Sequence, residues 1–511
     1  MKNLTRRKFL KSSALLTAAT AVGCSNGSSP DPAFRQAVVI GSGFAGSVAA
    51  LRLGLAGIPT MVLERGQDWT QKGPDTFPNL SDNDRRKTWF GEIDGLTGFS
   101  TTTPWAGMIE RVSGDTLDAA CGAGVGGGSL VYGGALIQPR RQTFDTVFPQ
   151  ISYDDMDQIY YPRVLAQIKA GRIPPDVLAS DNYAAQRAFI ADTSSAGFQV
   201  SMPFTGFDWD VIREEIQGRR VAAASVSEYI YGCNSGAKLS TDKNYLRDAL
   251  ATGNVEIRSL TEVVMLSEQS DGGYLITCRR IHPDGTGLER YELRASHLIL
   301  AAGSLNTSKL LLKSQAAGEL HGANDRIGQN WGTNGDELKL ELSKNAVSGT
   351  QGGPACIAAV DDSSASHPVT YMHSPASVPV NVQIQLAMSV PDSLGETRYD
   401  SAADKLTVHW PADTNTPSAQ ARTDSFTRLL KQSGGANISG TIGRPTVWHP
   451  LGGTVMGDAC DHFGRLYGYE NLFVVDSSLL PGSAGAVNPA LTVAANAERI
   501  MEQLILELER S

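Results

Sequence analysis

Residues 37–50 read Ala37-Val38-Val39-Ile40-Gly41-Ser42-Gly43-Phe44-Ala45-Gly46-Ser47-Val48-Ala49-Ala50. The β-branched run has the character of a strand buried in a parallel sheet, and the small residues after Gly46 suit a helix packed closely on it. Between them lies a G-x-G-x-x-G turn. Gly41 serves the tight turn, Gly43 lets backbone approach a pyrophosphate, and Gly46 lets helix meet strand. The helix N-terminus, at Phe44 and Ala45, then points its free N–H groups at the phosphates. A second strand, Thr60-Met61-Val62-Leu63, ends at Glu64, placed to accept from the ribose hydroxyls of an adenosine and to select against a 2′-phosphate. The spacing predicts an α/β, Rossmann-like domain for an ADP-containing cofactor. It leaves FAD and NAD open.

A second glycine cluster separates them. Cys121-Gly122-Ala123-Gly124-Val125-Gly126-Gly127-Gly128-Ser129-Leu130-Val131-Tyr132-Gly133-Gly134 is too dense in glycine for ordinary core, and its interleaved apolar residues disfavour a linker. A loop bent over a flat isoalloxazine ring fits. Near the C-terminus stand His449-Pro450-Leu451-Gly452-Gly453-Thr454, the strand-like Asn471 to Asp476, and Val487-Asn488-Pro489-Ala490. Hydride loss from a carbinol leaves positive charge on C–OH, so a group that takes the hydroxyl proton lowers the barrier, and an imidazole suits that at neutral pH. His449 is the candidate. Asn488 and Pro489 read as N-cap and first residue of a helix over 490–508. That helix N-terminus, aimed at the flavin, would stabilise the anionic reduced ring.

These blocks, with Ala301-Ala302-Gly303-Ser304-Leu305-Asn306-Thr307, resemble the glucose–methanol–choline family of flavoenzymes over about residues 35–505, and within it the bacterial cholesterol oxidases with non-covalent FAD. The resemblance implies FAD as cofactor and an antiparallel sheet over it. It places Gly43, Phe44, Ala45, Glu64, Gly127, Gly128, Gly133, Val263, Asp476, Asn488 and Pro489 around the cofactor, and makes His449 and Asn488 the catalytic pair. The implied reaction is oxidation of a sterol alcohol by hydride transfer to FAD, with electrons passed to O₂ or another acceptor. Three positions depart from these relatives: Tyr132 stands for Asn, Ala135 for Met and Ala490 for Phe. Tyr132 is kept among the cofactor contacts. The relatives also carry a Glu that shifts the sterol double bond, in a segment matching residues 370–375; here no Asp or Glu occurs from Ser363 to Pro391. Isomerase activity is therefore expected to be absent or weak unless His373 substitutes.

The 511 residues carry 53 Asp+Glu against 44 Lys+Arg, an acidic balance that argues against nucleic acid as a partner. Residues 1–23 hold a basic Thr5-Arg6-Arg7-Lys8-Phe9-Leu10 run before a short apolar stretch, the pattern of a twin-arginine export signal. The expected location is periplasmic or extracellular. Ala21-Val22-Gly23-Cys24 resembles a lipoprotein box, making Cys24 a candidate membrane anchor. The remaining cysteines are scattered without C-x-x-C, so no metal site is expected. The organisation expected is a signal and tether over 1–30, an FAD-binding domain from 33–138, 220–336 and 445–511, and a substrate domain from 139–219 and 337–444. Residues 80–109, with Trp89, Phe90 and Trp105, suit either a mobile lid or a long surface loop.

The sequence thus reads as an exported FAD-dependent oxidoreductase acting on the CH–OH of a hydrophobic alcohol, with a sterol foremost. Oxidase and dehydrogenase stay open. Rivals are a family member turned lyase on a cyanohydrin-like substrate, a cofactor-holding binding protein, and an NAD-dependent dehydrogenase.

Overall fold

The computed structural model describes residues 33–70, 73–91, 103–344, 350–364, 366–377, 379, 381–411, 416–441 and 444–509. The stretch read as an export signal, Cys24, and residues 92–102 of the segment read as a lid or a surface loop lie outside them. The chain opens with β1 (Ala33–Ile40), α1 (Phe44–Leu55) and β2 (Thr60–Leu63), and adds β3 (Val255–Arg258), β4 (Thr261–Glu268), β5 (Tyr274–Ile281) and β6 (Gly287–Leu300). The sheet order is β3-β2-β1-β6-β5-β4. β1 pairs in parallel with β2 and β6, so Leu63, Ile40 and Leu300 align at the strands' carboxyl ends. In open α/β sheets that end is where ligands bind. β4 to β6 form an antiparallel meander in place of further parallel units. β6 also pairs with Leu472–Val474 through its last three residues.

α1 covers one face, where Ala45, Ala49 and Ala50 leave no side-chain bulk to hold helix and sheet apart. Against α1 lie the helices Tyr245–Ala251 and Ala490–Leu508. Glu498 ties all three. Arg52 Nε donates to it at 2.6 Å and the Tyr245 hydroxyl at 2.9 Å, and its side chain is fully buried. A buried carboxylate is tolerated only with such partners, so the triad fixes how the C-terminal helix lies on α1. The start of that helix thereby comes to the sheet's carboxyl end.

Above the sheet stands an antiparallel roof: β7 (Glu337–Leu342), β8 (Ala358–Asp361), β9 (Val369–His373) and β10 (Val382–Met388). Its order is 436–437, β7, β10, β9, β8, then Gln199–Ser201. β10 starts at Val382, after Asn381 at φ 69° interrupts the extended chain, and it is buried on both faces. Leu338, Met372, Ile384 and Leu386 face the cavity below. Tyr371 and His373 face the other way, stacked on Phe426 and Phe189 of the covering helices Pro417–Ser433 and Ala184–Ser195. Among the described residues, no helix is long and apolar enough to cross a membrane.

Candidate active site

The floor of the site is bare backbone. Gly41 has φ +97°, and a Cβ there would lie 2.3 Å from the Ala301 carbonyl oxygen. A Cβ on Gly46 would lie 2.1 Å from the Gly41 oxygen, so only glycine lets α1 close on the turn. Gly43 is different: its nearest neighbour would be Gly127 Cα, at 3.9 Å. The two glycine loops meet there, and Ser42 fastens them. Its hydroxyl donates to Glu64 Oε2 at 2.7 Å and accepts from Gly126 N at 3.1 Å. Ser42 N donates to the same Glu64 oxygen at 3.1 Å, and Gly66 N donates to Oε1 at 2.8 Å. Glu64 lines the cavity as expected of a ribose acceptor, but it also braces the turn, a role its position in the sequence does not announce. On the far side of the loop, Thr241 N donates to the Ser129 hydroxyl at 2.9 Å and Lys238 Nζ donates to the Leu130 oxygen at 2.8 Å. Lys238 is buried, which pushes its ammonium down to about 7.

A cavity of about 1000 Å³ runs from this turn to the roof. Gly41, Gly43, Phe44 and Ala45 line it at the turn, Gly127, Gly128, Tyr132 and Gly133 along the loop, and Glu64, Val263 and Asp476 at strand ends. His449, Asn488 and Pro489 close the other end. Of the residues assigned to the cofactor and the catalytic pair, Gly46 alone stays off this wall, packed behind Gly41. A Cβ on Gly128 would meet nothing within 4 Å, so the loop presents an open flank to the cavity. A helix N-terminus, bare Gly43 backbone and this flank, strung along one elongated cavity, fit the diphosphate and flat ring of FAD.

Asp476 supports the same wall from behind. Its Oδ2 accepts from Gly303 N at 2.8 Å and the Thr307 hydroxyl at 2.5 Å, and burial pushes its carboxyl above the usual range. Tyr132 turns its hydroxyl out of the cavity, donating to the Gly206 oxygen at 3.4 Å, and sets its ring edge-on to Phe44. Sequence reasoning missed Arg65, Glu110 and Asn306. Arg65 pairs with Glu110 at 2.5 Å, Asn306 Nδ2 donates to that carboxylate at 3.2 Å, and the guanidinium lies 4.7 Å from the centre of the Trp89 ring. Arg65 follows Glu64 directly and could have been suspected; nothing in the sequence marks Glu110.

At the other end the two candidate catalytic side chains meet. His449 Nε2 lies 3.3 Å from Asn488 Nδ2, and His449 Nδ1 lies 2.9 Å from Asp336 Oδ1. Asp336, whose side chain is wholly buried, also accepts from Trp448 N and His449 N through Oδ2, at 3.1 and 3.0 Å. The helix-capping reading of Asn488 is corrected. Pro489 occupies the cap position with helical φ −80° and ψ −15°, and no side chain caps the helix. The Asn488 amide turns instead to the cavity, where its Nδ2 meets His449 and its Oδ1 is buried without a partner among the described residues.

His373 does not reach this site. Strand alternation turns it to the covering helices, fully buried, and burial alone pushes it down to about 3. It cannot stand in for a proton-shuttling carboxylate over the substrate. The carboxylates that do line the cavity are Glu64, Glu110, Glu262, Asp404 and Asp476, and none comes from the roof.

A dinucleotide turn and a histidine–asparagine pair opening onto one cavity under an antiparallel roof define a flavin-dependent alcohol oxidoreductase. Family models described as GMC oxidoreductase match residues 35–332 and 397–497, and the chain belongs to that family. It is 26% identical to a cholesterol oxidase of Mycobacterium tuberculosis, over 90% of this chain and 89% of that one. It is 25% identical to paromamine 6′-oxidase of Streptomyces fradiae, over 90% of each chain. The fold matches the crystal structure of pyridoxine 4-oxidase from Mesorbium loti with a TM-score of 0.64 at 18% identity, covering 92% of this chain and 99% of that one.

Proposed function

We propose that this enzyme oxidises a hydrophobic secondary alcohol, a sterol foremost, to the ketone and does not move a double bond afterwards. The observation that carries the reading is the His449–Asn488 pair at the end of a cavity whose roof is Leu338, Met372, Ile384 and Leu386. An apolar wall facing two polar groups selects a bulky alcohol with a single hydroxyl to orient. The similarity to cholesterol oxidases supports a sterol.

FAD, when bound, supplies the hydride acceptor. His449 Nε2 takes the hydroxyl proton, and Asn488 holds the carbinol oxygen in line. The apolar roof excludes water, which strengthens both interactions. With no carboxylate facing the cavity from the described roof residues, the roof offers no group to carry a proton between ring carbons. We further propose export by the twin-arginine route, on the Arg6-Arg7 pattern, with Cys24 as the membrane anchor.

The test is anaerobic titration of the flavin-loaded enzyme with 3β-hydroxysterols and with long-chain and aromatic alcohols, followed by air. Bleaching by a sterol with fast recovery in air, and a product that keeps the original double-bond position, is the expected result. Bleaching only by other alcohols removes the sterol; no bleaching by any alcohol removes the oxidation.

A further inference from the structure

The residues that touch the cavity do not hold themselves in place. His449 and Asn488 lie on separate segments, 39 positions apart, and both are anchored to one short turn, Asn334-Gly335-Asp336. Asp336 takes the histidine side through the three contacts given above. Asn334 takes the asparagine side: its Nδ2 donates to the Val487 oxygen at 2.9 Å, and its Oδ1 accepts from Ala484 N at 2.9 Å. Asn334 N also donates to the Gly482 oxygen at 3.0 Å. Asn334 is fully buried at φ +57°. Gly335 has φ +66°, and a Cβ there would lie 2.3 Å from the Ser389 oxygen. The turn therefore has one shape, set by sterics.

We infer that this turn is the positioning element of the site, and that Asp336 sets the tautomer of His449. The inference rests on the proposed role of His449. An ionised carboxylate has no donor, so the ring nitrogen facing Asp336 must carry the hydrogen. In the neutral ring that leaves Nε2 as a bare acceptor on the cavity side, the form able to receive a hydroxyl proton. Asn488 agrees, because its Nδ2 has hydrogens to donate to Nε2 only in that tautomer. Asp336 does this with two oxygens serving three donors: Oδ2 holds the Trp448 and His449 amides, and Oδ1 holds Nδ1–H. An amide cannot do both. In Asp336→Asn the single oxygen satisfies either the two backbone N–H groups or the ring, and the other side faces an NH₂ group.

The test reads the imidazole in resting holoenzyme labelled with ¹⁵N-histidine, using His449→Gln to assign the signal. Nitrogen chemical shifts distinguish the two neutral tautomers without any substrate. The expected result for the unsubstituted enzyme is an Nδ1–H ring at neutral pH, shifting toward Nε2–H or a mixture in Asp336→Asn. On an alcohol that turns over, Asp336→Asn is expected to lower kcat by about 100-fold or more with KM nearly unchanged, and Asp336→Glu to recover part of the loss. An Nε2–H ring in the unsubstituted enzyme overturns the inference even if Asp336→Asn fails to fold. So does a folded, flavin-loaded Asp336→Asn with unchanged tautomer and kcat. If no alcohol bleaches the flavin yet the ring is Nδ1–H, the functional reading falls and the positioning role stands.

Discussion

The cavity is bounded by two regions built on opposite terms. The floor, where β1 turns into α1, presents backbone, and Gly41 and Gly46 are fixed there because an added Cβ would lie 2.3 and 2.1 Å from backbone oxygens. The roof presents side chains on a regular sheet, and its chemistry depends on which face each residue takes. Met372 faces the cavity, whereas His373, one position on, is buried among helices. A floor of this kind tolerates no change at Gly41 or Gly46 but serves any ligand that carries a diphosphate. A roof of this kind changes freely and decides what is oxidised. The difference separates what makes the chain a flavoenzyme from what selects its substrate.

The floor breaks hardest. Gly46→Ala places a methyl against the Gly41 oxygen and is expected to abolish folded, flavin-loaded protein, whereas Gly43→Ala, with room around it, folds and loses flavin affinity. Flavin content together with the thermal transition separates the two, and equal behaviour would deny the floor its rigidity. Next comes His449→Gln, expected to lower kcat by about 10²- to 10⁴-fold with flavin retained, as read by anaerobic reduction rate.

A smaller effect tests the roof. Met372→Ala is expected to raise KM for a bulky alcohol about 10-fold, the scale of lost apolar contact in a pocket, while His373→Leu leaves KM unchanged. If His373→Leu moved KM as well, the two faces would not be distinct. The last effect lies in pH and touches stability rather than turnover. His373 is pushed from 6.5 to about 3, so the unfolded chain binds the extra proton as pH falls below 6.5. Its contribution to stability is present above pH 6.5 and lost on acidification, by about 2 kcal/mol between pH 6.5 and 5. Denaturant melts of His373→Leu are expected to show a flatter acid limb in that window.

Legibility followed the same division. Gly46 is legible because the clash it avoids, with the Gly41 oxygen, lies within the turn, whereas the atom that confines Gly41 is the Ala301 oxygen on a distant segment; the adjacency of β1 and β2 follows from buried β-branched runs. Asn488 is found by resemblance, but the capping role that Asn before Pro suggests does not hold, because its side chain makes no capping bond and turns to His449, a partner 39 residues away. Asp336 was invisible. Asn-Gly-Asp reads as a surface turn, and its partner lies 113 residues away. His373 was left open as a substitute base, since alternation gives two faces without saying which one looks down. Long-range pairing and facing are tertiary facts, and local pattern does not contain them.

The triad of Arg52, Tyr245 and Glu498 has a consequence for the order of events during synthesis. The glycine turn emerges early from the ribosome, but the segment that carries Asn488 emerges late, and its helix is seated on α1 by apolar packing and by the Glu498 bridge. Until that helix docks, the cavity lacks one wall. A nascent chain can therefore form the mononucleotide half long before it can enclose a cofactor, and flavin capture becomes a step that follows translation of the C-terminal helix.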